Sequence, residues 1–213
     1  MPDLLAVPYR PFSGNLEKND RILQECVDHP TWFGTPGDAY ERRVLAAAFL
    51  TDPDNRIWEV WRGDAFIGIL HLSAIVPKVT ALWHFGFTDG LLGKRALLLN
   101  FLGMLYREFD LQSLQMEIPE LLPPLLRFCR AQLGFRYQGE ARVGGHPVAV
   151  ALAGPGAGKP HIRDAPAWIA RWGSRRERAH WYQDHWCDLV CLVQMREEYK
   201  EFVLSNFNRK MPA

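Results

Sequence analysis

Apolar residues recur at helical spacing through Asp20–Val27, and His29-Pro30 ends that run. A second helix is predicted from an N-cap at Asp38 through Tyr40, Val44, Leu45, Ala48 and Phe49, with a turn at Asp52-Pro53-Asp54-Asn55. The period then changes to two. Arg56–Arg62 and Ala65–Ile75 read as strands joined by a tight Gly63-Asp64 hairpin, and Pro77-Lys78 breaks the chain again. Val79–Thr88 reads as a third strand, with Val79, Ala81, Trp83, Phe85 and Phe87 on one face and His84, Gly86 and Thr88 on the other.

A glycine-bearing loop, Asp89-Gly90-Leu91-Leu92-Gly93, opens onto Lys94–Phe109, where Leu98, Phe101, Leu102, Leu105 and Phe109 form an apolar helical stripe. Leu114–Ile118 alternates as a strand, with Gln115 and Glu117 facing away from Leu114, Met116 and Ile118. Leu121–Leu133 reads as a helix with prolines in its first turn and Gly134 at its end; Phe135–Arg142 is a short strand. Downstream, Trp186–Met195 alternates once more. The order ααβββαβαβ…β predicts an α/β (α+β) domain, a mixed central sheet with helices on both faces. It spans 1–199, with an insertion at 144–184 before the last strand and a C-terminal tail over 200–213.

Composition narrows the class. With 213 residues, 48% hydrophobic and 23% charged, the chain suits one globular domain. A net charge of +1 gives no reason to expect nucleic acid or an anionic membrane as partner. No apolar run approaches the ~20 residues that span a bilayer, and Met1–Phe12 lacks the layout of a signal peptide. Cys26, Cys129, Cys187 and Cys191 have no CxxC spacing and read as reduced core thiols of a cytoplasmic protein.

The ordered set His84-Phe-Gly-Phe-Thr-Asp89, Gly93-Lys94-Arg95, Met116-Glu-Ile-Pro-Glu120, Leu133-Gly-Phe-Arg136, Gly139-Glu140 and Arg142, closed by Asp188-Leu189-Val190 and Arg196-Glu197-Glu198, resembles the GNAT superfamily of N-acetyltransferases, in particular a branch common among bacterial and phage sequences. The match covers about residues 55–143 and 186–199. The resemblance implies a GNAT fold and acetyl-CoA as cosubstrate, with no metal. In this fold a strand splays from its neighbour and runs into a loop at a helix N-terminus, where free amides receive a diphosphate. That assigns cofactor binding to Phe85, Phe87, Asp89, Gly90, Gly93, Lys94 and Arg95, the two basic side chains adding positive charge.

The sequence departs from the family pattern at several points. The signature positions flanking the loop hold Gly90 and Arg95, with Ala96 one place late. Leu121-Leu122 stand where many relatives have Asn, and Phe128-Cys129-Arg130 where several have a Tyr general acid. Acyl transfer to an amine needs a base, and His84, on the splayed strand, and Glu117, on its neighbour, are the candidates. His71, Asp188 and Tyr182 are weaker ones.

Two other patterns lead nowhere. Gly154–Lys159 is no P-loop, because Ala153 and Pro160 occupy positions that need Gly and Ser or Thr. His180, His185 and Cys187 lack a fourth ligand and the regular spacing of a zinc site. The 144–184 segment, with a short helix expected around Ala165–Arg171, interleaves Trp168, Trp172, Trp181 and Trp186 with arginines that include Arg175 and Arg176. Such a surface suits a protein partner, through Trp168, Trp172, Arg175 and Arg176, or a second copy of the chain. Two readings therefore stay open. One is an acyl-CoA-dependent N-acyltransferase acting on a protein or small-molecule amine. The other is a catalytically degenerate GNAT-fold module, such as a phage virion or assembly protein.

Overall fold

The structure, a computed structural model, describes residues 4–8, 16–32, 37–119, 121–138, 140–143, 146–149, 175–182 and 185–208. Helices α1 (Leu16–Asp28) and α2 (Ala39–Thr51) come early, joined through a 3₁₀ turn at Pro30–Trp32. Asp38 caps α2 as its sequence predicts: its carboxylate accepts from the amides of Tyr40 and Glu41, and Glu41 returns a bond to the Asp38 amide. Arg43 of α2 pairs with Asp20 of α1, tying the two helices together.

The main sheet contains β1 (Leu4–Pro8), β2 (Arg56–Arg62), β3 (Ala65–Val76), β4 (Thr80–Phe87), β5 (Ser113–Pro119), β6 (Arg136–Tyr137), β9 (Arg175–Tyr182) and β10 (His185–Met195). Its order is β1-β2-β3-β4-β5-β10-β6, and β9 also pairs with β10. The short β7 (Glu140–Val143) and β8 (His146–Ala149) form a separate hairpin. All pairings are antiparallel except β4 with β5. That parallel pair is joined by the crossover helix α3 (Arg95–Glu108), as parallel neighbours require. Helix α4 (Pro123–Leu133) follows β5, and α5 (Arg196–Asn208) follows β10.

Each face of the sheet is buried against helices. Leu70, Leu72, Ala81, Trp83, Leu114, Met116 and Ile118 join Leu98, Phe101, Leu102 and Leu105 of α3 and Cys129 and Leu133 of α4 in the larger core. Ile57, Phe66 and Ile69 join Ile22 and Cys26 of α1 and Ala46 and Leu50 of α2 in the smaller one. A register shift at Gly68 puts Phe66 and Ile69, three apart, on the same face. This two-sided burial explains why β3 reads as a nearly unbroken apolar run rather than a strict alternation.

Three sequence expectations change. The residues read as a tail from 200 onward continue a helix to Asn208 that packs on the rest of the fold: Asn206 accepts from Arg95 at 3.1 Å, and the Phe202 ring lies against Gly134. The single strand expected over Phe135–Arg142 is two strands, β6 on the main sheet and β7 in the hairpin. The two ends of the 144–184 segment form strands, with Arg175 and Arg176 opposite Val190 and Leu189 in the ladder. Trp168, Trp172 and the helix expected around Ala165–Arg171 lie outside the described residues, as do the side chains of Arg175 and Arg176.

Candidate active site

β4 and β5 pair only at their beginnings, through Thr80 with Ser113, Ala81 with Leu114 and Leu82 with Gln115. Both strands then continue, β4 to Phe87 and β5 to Pro119, without further pairing to each other. β4 keeps its ladder with β3 to the end, and β5 keeps its ladder with β10. The sheet is thus parted along one line, and past Leu82 the backbone groups of β4 that face β5 leave the ladder.

A cavity of about 260 Å³ lies in this parting. From one face of the sheet it takes His71 and Ser73 of β3, His84 of β4 and Glu117 of β5, with Phe49 of α2 and Trp32 of the 3₁₀ turn. From the other it takes Phe85, Met116 and Ile118, with Leu122 and Leu125 at the start of α4. The two residues expected to act as base, His84 and Glu117, line the same cavity. His71 lies directly opposite His84 in the β3–β4 ladder, and their rings stack 5.6 Å apart. Burial, and then the charge of His84, pulls the His71 imidazole down to about 2, so this ring stays neutral.

The wall formed by Trp32 depends on a glycine. A Cβ at Gly86 would stand 2.4 Å from the Trp32 ring, so the indole lies directly on the β4 backbone. His29 stacks on Trp32 at 4.9 Å between ring centres. The sequence pattern assigns neither Trp32 nor Phe49 to a site, since what their segments pack against only the tertiary fold decides.

The loop after β4 is held from within. Asp89 pairs with Lys94 at 2.5 Å and with Arg62 at 3.0 Å, and these cations, with the bond from Lys94 foremost, hold its carboxyl below the usual range. Lys94 is fully buried, its ammonium 5.0 Å from the centre of the Phe87 ring. Arg95 reaches the other way, donating to the Gln132 carbonyl at 3.2 Å and to Asn206 at 3.1 Å. Both side chains, expected to present charge to an anion, have partners within the fold, Lys94 buried and Arg95 half-buried. The loop turns the Leu92 side chain outward, 92% exposed, and leaves open space at its two glycines. Gly90 and Gly93 adopt φ of +76° and +75°, and a Cβ on either would meet nothing within 4 Å. Helix α3 has no side-chain cap and no acidic residue in its first turn. Its first amides are an open donor set at the positive end of a 14-residue helix, where an anion fits.

Asp188 and Tyr182 have no described side chains. Cys129, at the place of the missing Tyr, is wholly buried in the larger core, and burial pushes its thiol well above the usual range. It is absent from the residues lining the cavity.

No protein-family model matches the sequence, and no curated protein sequence matches it either. Solved structures do. The spermidine N-acetyltransferase of Vibrio cholerae in complex with CoA and spermine is similar at a TM-score of 0.58 and 13% identity, covering 92% of this chain and 98% of that one. A chimera of that enzyme with human spermidine/spermine N-acetyltransferase gives 0.59 and 12%, covering 93% and 98%. The enzyme with manganese ions gives 0.57 and 15%, covering 93% and 96%. The chain has the GNAT fold. At this identity the likeness extends to the path of the backbone.

Proposed function

We propose that the protein is an acyl-CoA-dependent N-acyltransferase that moves an acetyl group from acetyl-CoA to an amine. One observation carries this reading: β4 and β5 part at Leu82 beside a loop and helix start whose amides are open to an anion. Diphosphate bound at the start of α3 would let the pantetheine arm follow the freed edge of β4 into the cavity, with Phe85, Met116, Ile118, Leu122 and Leu125 as its apolar surroundings. The spermidine acetyltransferases of the same fold, one of them in complex with CoA and spermine, support both CoA and an amine as the substrate classes.

In the reaction, the amine nitrogen attacks the thioester carbonyl carbon. The C–N bond forms, the C–S bond breaks and the CoA sulfur leaves with the bonding pair. The ammonium loses one proton to become nucleophilic and a second on forming the amide; one ends on the sulfur and the other in water. Glu117 or His84, both on the cavity wall, takes the amine proton, directly or through a water. A freed β4 amide donates to the carbonyl oxygen as it gains charge. Cys129 has no part in protonating the sulfur, since it is buried in the core with its thiol proton held tightly.

The test is amine-dependent release of free CoA thiol, followed for the wild type and for Glu117→Gln and His84→Asn. Loss of a general base costs about 10²- to 10⁴-fold in kcat. The reading requires one of the two variants to fall in that range with acetyl-CoA binding retained.

A further inference from the structure

The cavity also constrains the acceptor, and the inference here rests on the transferase reading above. On the face occupied by α1 and α2 its wall is aromatic: the Trp32 indole seated on Gly86, Phe49, and the stacked pair of His71 and His84. Phe49 meets His71 edge-on at 4.3 Å, which makes Phe49, His71 and His84 one continuous surface. The carboxylate on the same face of the cavity is Glu117. His71, neutral throughout the physiological range, adds no charge to repel a cation there.

We propose that the acceptor is a primary amine carried on a flat apolar group, with its ring against Trp32 and Phe49 and its nitrogen at Glu117. Flat faces match flat faces, and an ammonium is attracted both to ring faces and to a carboxylate. Size agrees. An apolar cavity of roughly 150 Å³ takes up one benzene. The ~260 Å³ in the parting therefore leaves room for a single ring beside the end of the pantetheine arm.

The test compares phenethylamine with spermidine and n-butylamine as acceptors, with free thiol as the readout. Phenethylamine is expected to exceed both in kcat/KM by about tenfold or more, the scale on which pockets discriminate apolar groups. Trp32→Leu keeps an apolar side chain but removes the flat face, and it should raise the KM for phenethylamine while leaving acetyl-CoA binding intact. Phe49→Leu is the second variant and should act in the same direction. Acetyl-CoA turnover that prefers spermidine or n-butylamine overturns the acceptor assignment and leaves the transferase reading standing. Should acetyl-CoA fail to bind, the transferase reading fails, and calorimetry with each amine alone decides the site. Saturable phenethylamine binding that weakens in Trp32→Leu supports the assignment; no binding, or tighter spermidine binding, overturns it.

Discussion

His71 and His84 face each other across the β3–β4 ladder with their rings 5.6 Å apart and 14° from coplanar. Both line the cavity, His71 almost fully buried at 4% exposure and His84 more open. Because burial pulls His71 down to about 2, its folded pKa lies below the ~6.5 of an unfolded histidine. Below ~6.5 the unfolded chain binds a proton that the folded one refuses, so this contribution to stability is whole above that pH and drains away as pH falls. The limiting slope for one such group is about 1.4 kcal/mol per pH unit. Denaturant titrations from neutral to acid pH should show the gap between wild type and His71→Gln narrowing below pH ~6.5.

The ion pair under the loop is asymmetric. Lys94 is fully buried, whereas the Asp89 side chain is 37% exposed. Removing Asp89 leaves a buried ammonium with its partner gone, whereas removing Lys94 leaves a carboxylate that water and Arg62 still reach. Asp89→Ala should therefore destabilise by about 2 kcal/mol, below the ~3–5 kcal/mol of a fully enclosed pair because water screens one side. Lys94→Met should cost clearly less. Equilibrium unfolding of the two variants checks the order.

At Gly86 a single methyl group is decisive. Alanine would place Cβ 2.4 Å from the Trp32 ring, and the indole would have to leave the cavity wall. Gly86→Ala is expected to raise the KM for the amine about tenfold or more, with acetyl-CoA affinity nearly unchanged. Steady-state kinetics with each substrate varied in turn separates the two effects.

The C-terminal helix can be tested in the same way. Gly134 ends α4 at φ +81°, and a Cβ there would stand 2.7 Å from the Phe202 ring of α5. Strain and collision add, so Gly134→Ala should destabilise the fold by more than ~1 kcal/mol. A chain truncated after Met195 should lose stability too, which thermal melts can follow.

The sequence disclosed those parts of the molecule whose periodicity is local. The β2–β3 hairpin has clear turn chemistry at Gly63-Asp64, α3 has a wide apolar stripe, and Asp38 is a cap followed three residues on by Glu41. Strand β1 went unseen because Leu4–Pro8 is short and acquires its meaning only from pairing with β2. Helix α5 was hidden because its apolar residues are sparse among charges, and what holds it is docking through Tyr199, Phe202 and Asn206. At the site, resemblance brought out His84, Glu117 and the loop glycines, while Trp32 and Phe49 are joined to them only by the tertiary fold. The inward turn of Lys94 was likewise invisible, since nothing in a linear sequence says that a lysine at a helix start meets an aspartate five residues before it.

The proposed cofactor binding depends on the amides around Gly90, Gly93 and the start of α3. Calorimetric titration with acetyl-CoA, and with the same thioester lacking the nucleotide diphosphate (acetylpantetheine), tests them most directly. The structure predicts saturable one-to-one binding of acetyl-CoA, and binding of acetylpantetheine weaker by about a hundredfold or more, because charge-assisted bonds to the diphosphate contribute on the order of 1.5–3 kcal/mol each. Equal affinity for the two, or no binding of acetyl-CoA at all, would contradict it.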